Sequence, residues 1–347
     1  MQTMWSTSFL LSMILSLSGQ VRAATGTARP PLPPMPDDDI CASATWNRNG
    51  ITVAGGNGVG SALNQLHYPY GLFVDDDDTI YIVDSLNYRV VKWEAGVSTG
   101  RLVAGGNGEG NRNNQLSYTT KVVVDKTGTI FICDADNKRV QRWSKNDNYG
   151  QTVIANISCI GLALDNKGSL YVSDNEKYRV IKLPDEQVVA GGNGEGFALN
   201  QFENPDHIFV DHDQSVFVVD YGNNLVMKWA VDAKEGIVVA GGNGWGNHTN
   251  QLAAPTSVAV DHMGTAYVVD RNNHRVMRWF KDSKAGSVII GGQGWGNETN
   301  KLCTPRDLAF DRQGNLYVAD AANHRIQMFA IDKSSCAKGT YRKDAIN

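Results

Sequence analysis

Pro255-Thr256-Ser257-Val258-Ala259-Val260-Asp261-His262-Met263-Gly264-Thr265-Ala266-Tyr267-Val268-Val269-Asp270-Arg271-Asn272-Asn273-His274-Arg275-Val276-Met277-Arg278-Trp279 spells out a run of short strands. Ser257 to Val260 is apolar on both faces, as an innermost strand packed between neighbours should be. Asp261 to Gly264 is a hairpin turn with Gly at its left-handed position. Ala266 to Asp270 follows as a second strand, and Arg271 to His274 turns the chain again. Arg275 to Trp279 alternates polar with apolar residues, as a more exposed third strand does. A fourth strand is expected at Val288-Ile289-Ile290, after which Gly291-Gly292-Gln293-Gly294-Trp295-Gly296 carries the chain onward.

The same phrase occurs six times. Its second aspartate falls at Asp84, Asp134, Asp174, Asp220, Asp270 and Asp320, and its first at Asp75, Asp125, Asp165, Asp211, Asp261 and Asp311. A Trp or another hydrophobe closes each copy, at Trp93, Trp143, Leu183, Trp229, Trp279 and Phe329. A period of 40 to 50 residues with four strands per unit predicts an all-β protein, a six-bladed β-propeller of four-stranded antiparallel blades. Trp46 and Ile51-Thr52-Val53-Ala54 match the end of a copy, whereas the last copy stops after its third strand. The N-terminal strand is therefore expected to complete the last blade and close the ring, which also covers an exposed sheet edge. The third copy lacks the glycine-rich crossover and has Ala155-Asn156-Ile157-Ser158-Cys159 in its place.

Composition suits this organisation. The 347 residues are 41% hydrophobic and include 36 Gly, 12 Tyr and eight Trp, as expected of many short strands joined by tight turns. The net charge of -4 leaves no basic footprint for nucleic acid. Residues 1–23, with an apolar run from Phe9 to Leu17 and small residues up to Ala23, read as a secretory signal, cleaved after Ala23 or, as the alternative, retained as an anchor. Residues 24–44 form a Pro/Asp-rich spacer, 45–336 the propeller and 337–347 a C-terminal tail. No later stretch is apolar for long enough to span a bilayer. Export permits disulfides, and five cysteines are present. Cys41 precedes the first strand and Cys336 follows the last, so a bond between them is expected to lock the seam. In the chain-entropy model it contributes roughly 4 to 5 kcal/mol. Cys133 reads as a small buried hydrophobe, and Cys159 and Cys303 as buried or free thiols. Sequons begin at Asn156, Asn247 and Asn297.

The repeated Val-Asp, Gly-containing turn, Tyr-Val-x-Asp and Asn-x-Arg-Val, as in Asn273-His274-Arg275-Val276 and Asn323-His324-Arg325-Ile326, resembles the NHL-repeat family over residues 46–330. Lys177 stands where Asn is expected and Leu225 where Arg is expected. The resemblance implies the six-bladed ring. It implies activity weakly, because the family includes binding modules and enzymes alike.

Repeated features read as scaffold. Gly-Gly-Asn-Gly-x-Gly at Gly55, Gly105, Gly191 and Gly241 looks like a phosphate cradle, but it leads into no helix and recurs at the crossovers. The Asp and Arg pairs recur too, whereas catalysis needs one asymmetric constellation. The two residues before each inner strand are different in every copy: Tyr70-Gly71, Thr120-Lys121, Ile160-Gly161, Asp206-His207, Thr256-Ser257 and Arg306-Asp307. They predict a ligand-binding channel mouth formed by Tyr70, Lys121, Asp206, His207, Arg306 and Asp307. Trp245 and Trp295, in equivalent crossovers, read either as a contact surface or as packing between crossovers. Asp75 to Asp78 offers a solvated turn or a weak calcium site.

The expected function is that of a secreted, monomeric binding or scaffold module for an extracellular protein, peptide or glycan, with no catalytic or metal-ligating residue assigned. Two alternatives follow from resemblance. Peptidyl-glycine amidating lyases hold zinc with three histidines around a similar channel, so a zinc- or calcium-dependent lyase or hydrolase stays open, although only His207 stands at a matching position. Intracellular relatives that recognise ubiquitin-ligase substrates or RNA are the other alternative, set against the signal segment and the lack of a basic face.

Overall fold

The computed structural model describes residues 40–145 and 147–336. The segments read from the sequence as signal, most of the spacer and the tail, residues 1–39 and 337–347, lie outside them. Six antiparallel four-stranded sheets form the blades. The first four-stranded blade is Pro69–Val74, Ile80–Asp84, Arg89–Trp93 and Arg101–Gly105. The inner strands of the next five begin at Thr119, Cys159, Pro205, Pro255 and Pro305. Each inner strand neighbours the next, and the sixth neighbours the first, so the ring is closed. Among the described residues no helix is long and apolar enough to cross a membrane.

The closure follows the expected register. Ile51–Gly55 pairs with Arg325–Phe329 as the outer strand of the sixth blade. A short ribbon, Thr45–Trp46 against Ile331–Asp332, extends the seam, and the Cys41–Cys336 disulfide lies beyond it. Trp46 donates from Nε1 to the Gly314 carbonyl and packs edge-on against Tyr267.

Six hydrophobic clusters fill the six interfaces between blades, which explains the aromatic that ends the third strand in five blades and Leu183 in the third. Trp279 of the fifth blade packs with Phe217 and Val219 of the fourth, and Trp93 of the first with Tyr317 and Ala319 of the sixth. Burying an indole removes a large apolar area from water, so this position joins neighbouring blades. Glycine precedes the outer strand for the same reason: a Cβ on Gly286 would lie 2.7 Å from the Trp279 ring.

The two aspartates of each copy have separate tasks. Oδ1 of the first accepts backbone N–H groups of its own hairpin turn, as Asp261 does from Met263 and Thr265. The run Asp75 to Asp78 is the same turn, with Asp75 accepting from Asp77 and Thr79. The second aspartate is buried and holds the crossover that enters its blade. Asp270 accepts from the Ala253 N–H at 2.7 Å, from Asn273 Nδ2 at 2.8 Å and from Arg275 Nε at 2.7 Å. Arg275 then donates to the carbonyls of Asn247, His248 and Gln251. Asn243 and Gln251 staple the Gly241-Gly242 loop from within, through Asn243 Nδ2 to the Asn250 carbonyl and Gln251 Nε2 to the Asn243 carbonyl. The glycine-rich strings are thus self-bonded loops.

Two blades depart from this pattern. No crossover enters the third, where Arg179 meets only Asp174, at 3.1 Å, and Asp174 Oδ1 is buried without a partner. Cys133 forms a disulfide with Cys159 at that junction, so the reading of Cys133 as a plain hydrophobe is corrected. Cys303 is a free thiol. In the fourth blade, with Leu225 in place of Arg, Asp220 accepts instead from the Glu203 and Asn204 N–H groups and from Asn223.

Arg275→Leu recreates the fourth-blade arrangement in the fifth and strips a buried carboxylate of its cation. The expected loss is about 3 to 5 kcal/mol in denaturant unfolding. Arg179→Leu, which frees no crossover carbonyls, should cost less. An Arg275→Leu midpoint equal to that of the parent would show that the clamp contributes no stability.

Candidate ligand site at the channel mouth

Every inner strand breaks register with its neighbour where the copies differ. Pro69 pairs with Asp84 and Leu72 with Ile82, so Tyr70 and Gly71 lie in a bulge. Four other inner strands shift at the same place, and the fifth blade's shifts one residue earlier, leaving Thr256 unpaired and Ser257 opposite Val269. A bulge frees residues from the ladder and re-aims their side chains. The six non-repeating pairs therefore sit on six such irregularities, at the end of the ring where the inner strands begin.

The second residue of each pair forms a buried layer. Asp307 Oδ2 receives Lys121 Nζ at 2.6 Å and the Leu72 N–H at 2.8 Å, and Oδ1 receives Ser257 Oγ at 2.6 Å. Lys121 also donates to the Leu72 carbonyl. The Lys121–Asp307 pair joins the second blade to the sixth, with the first between them. Burial is the largest single influence on Asp307 and opposes its ionisation, but the Lys121 charge, His207 and the hydrogen bonds from Lys121 and Ser257 together outweigh it and hold the carboxyl below the usual range. His207 Nε2 lies 3.3 Å from Asp307 Oδ1 without hydrogen-bond geometry, and both ring nitrogens are buried and unpartnered. Burial first, and then Lys121, push its pKa down to about 3, so the ring is neutral.

The first residue of each pair lies nearer the opening. Arg306 donates from Nη1 to the Tyr70 hydroxyl and from Nη2 to the Tyr68 hydroxyl, both at 3.1 Å, and its guanidinium lies 4.5 Å from the centre of the Tyr70 ring. Tyr118 meets Tyr70 edge to face. Asp206 is 7% exposed. Burial, partly offset by Arg306 and Arg271 and reinforced by Asp307, pushes its pKa up to about 7. Arg271, from the turn after Asp270, donates to the Tyr221 hydroxyl at 3.4 Å.

Of the residues expected at the mouth, Tyr70, Asp206 and Arg306 come together in this outer layer, while Lys121, His207 and Asp307 form the layer beneath. The expectation did not separate the two. It also missed Tyr68, Tyr118, Tyr221 and Arg271, which flank the pairs or follow the second aspartate. Extending the comparison of copies by two residues upstream, and to the residue after that aspartate, would have found them.

The other histidines of the repeat tie blades together. His324 Nδ1 accepts from the Tyr68 N–H and His274 Nδ1 from the Thr304 N–H, each at 3.1 Å. Among the described residues no three His, Cys, Asp or Glu side chains converge as metal ligands. Trp245 and Trp295 are 61% and 72% exposed, so they belong to the surface rather than to packing between crossovers.

Asp206 and His207 make stability depend on pH in opposite senses. Between about pH 3 and 6.5 the unfolded state holds a proton on His207 that the folded state lacks, so stability rises with pH. Between 3.8 and about 7 the folded state holds a proton on Asp206 that the unfolded state lacks, so stability falls as pH rises. Asp206→Asn removes the second contribution and should make stability rise more steeply across the shared window. Equal slopes in pH-dependent denaturant melts of parent and variant would refute the assignment.

A search of curated proteins finds no match to the sequence. Solved structures share the fold at low identity. An auxiliary nutrient binding protein from Bacteroides thetaiotaomicron is 13% identical over 81% of this chain and 76% of its own, with a TM-score of 0.62. A gluconolactonase from Xanthomonas campestris is 15% identical over 88% and 99%, at 0.59. A catalytically inactive virginiamycin B lyase from Staphylococcus aureus, solved with quinupristin, is 12% identical over 83% and 99%, at 0.54. The NHL repeat model matches residues 252–278 and 302–329, the third strands and second aspartates of the fifth and sixth blades included. The chain is thus a six-bladed β-propeller whose fifth and sixth blades match the NHL repeat.

Proposed function

We propose that this propeller is a binding module that works outside the cell and takes its ligand at the channel mouth, between Tyr70, Asp206 and Arg306. The observation that carries this reading is the set of six bulged pairs, which differ in every blade while the surrounding scaffold repeats. A scaffold that needed only to close its channel would be served by one repeated pair. Lys121, His207 and Asp307 act from beneath, as a buried floor that fixes the inner strands. Two disulfides agree with an oxidising compartment, and a similar structure is described as an auxiliary nutrient binding protein. The exposed sequons at Asn156, Asn247 and Asn297 are proposed to carry glycans, and the module is proposed to be monomeric.

The test is ligand-dependent thermal stabilisation of the secreted chain against sugars, peptides and small acids. A true ligand at a hundredfold excess over Kd adds about 2.7 kcal/mol. Tyr70→Ala and Arg306→Ala should abolish the shift, and Thr127→Ala, in a hairpin turn at the opposite end of the ring, should keep it. A shift that survives both mouth substitutions would move the site elsewhere. Mass spectrometry of the chain recovered from medium should find its N-terminus at Ala24, and an uncleaved chain retained in the cytosol would contradict export.

A further inference from the structure

The frame arginines and the mouth arginines differ in what holds them. Arg89, Arg139, Arg179, Arg275 and Arg325 each meet a buried aspartate through Nε. Arg306 meets only the neutral hydroxyls of Tyr68 and Tyr70. Arg271 meets the Tyr221 hydroxyl, and its Nε is buried without a partner. Neither is among the ion pairs formed by the described residues. Arg271 follows the end of the fifth blade's second strand and Arg306 lies at the start of the sixth blade's inner strand, so both belong to the end of the ring where the inner strands begin. A guanidinium taken out of water without a counter-charge is costly, and a planar fork is best matched by a carboxylate.

We propose that the channel mouth binds a small carboxylate ligand, with Arg306 and Arg271 receiving the carboxylate and the Tyr70 and Tyr118 rings lying against the ligand's carbon skeleton. The assignment rests on the binding-module reading above and names the ligand class for the same site. His207, more than nine-tenths buried with both ring nitrogens unpartnered beneath this opening, adds a polar floor whose valence is unfilled. Asp206 sets the pH response. It is faced by Arg306 and Asp307 from the sixth blade, Arg271 from the fifth, Tyr70 from the first and Tyr118 from the second. Protonated, it is a donor beside the bound anion. Ionised, it competes for the same guanidinium groups and repels the ligand, so affinity falls as pH rises through about 7.

The experiment is calorimetric titration of the full secreted chain with benzoate, glucuronate and inorganic phosphate, beside the neutral benzamide and glucose, at about pH 6 and about pH 8. At least one carboxylate should bind with a Kd of about 1 mM or tighter and at least about tenfold more tightly than its neutral counterpart, more weakly at the higher pH. Arg306→Gln, shown folded by its near-ultraviolet circular dichroism, should lose at least about tenfold, and Arg306→Lys should recover part of that loss. Neutral probes binding as well as the acids, unchanged affinity in Arg306→Gln, or phosphate preferred over both carboxylates would each overturn the carboxylate assignment. Glucose binding that depends on Tyr70 would overturn it while leaving the mouth as the ligand site. No binding of any probe, together with no Tyr70-dependent stabilisation in the wider screen, would remove both readings.

Discussion

A carboxylate buried at the end of each second strand is the constraint on which the rest of this ring depends. Left alone in the interior it would be costly, and the chain surrounds it with an Asn amide, backbone N–H groups and, in five of six blades, an arginine. The partners lie far apart in sequence. Ala253, which donates to Asp270, comes just before the inner strand Pro255–Val260, and the Arg275 carbonyl partners lie in the crossover itself. One buried charge therefore fixes where the crossover ends, and with it the height at which the next residues enter the channel. The mouth pair begins three positions later, so the geometry of a variable site is set by a repeated clamp.

The bulge explains how one repeat supports six different pairs. In a regular ladder, successive side chains point to opposite faces, and two adjacent residues could not both serve the channel. The register break uncouples them, and the pairs sort into an outer layer of aromatic and charged groups and an inner layer centred on Asp307. The layers have opposite electrostatic character. Asp307 is saturated by Lys121, Ser257 and a backbone N–H, whereas the outer guanidiniums meet only hydroxyls. His207 apart, a satisfied layer supports an outer one whose guanidiniums meet only hydroxyls, at the end of the ring where the inner strands begin.

Much of the ring was readable from spacing alone, because each scaffold interaction leaves a residue at a fixed offset. The aspartates mark strand ends, Asn and Arg follow three and five residues later, and the mismatch between the first and last copies predicted the closing strand and the Cys41–Cys336 bond. What stayed hidden has no periodic trace. Cys133 inside a strand looks like any small apolar residue, and its bond to Cys159 arises from a junction between blades. The pairing of Lys121 with Asp307 joins residues 186 positions apart across the ring. Trp245 and Trp295 could not be assigned to surface or interior until their exposure was seen, with the crossover of Trp245 stapled from within.

The third blade shows what happens when the clamp has nothing to hold. Without a crossover, Arg179 loses its carbonyl partners. Lys177 replaces the Asn that would reach Asp174, and one oxygen of that aspartate is left buried and unbonded. The junction with the second blade thus lacks the arginine and asparagine clamp between crossover and blade. It is also where the second disulfide lies, joining the second strand of one blade to the first residue of the next blade's inner strand. Ile157, in the abbreviated connection, is buried among Val140, Leu162 and Ile181, so apolar packing covers what the glycine loop covers elsewhere. A covalent bond and a hydrophobic plug replace the lost clamp there, and the ring keeps its closure at a joint where its repeating rule is suspended.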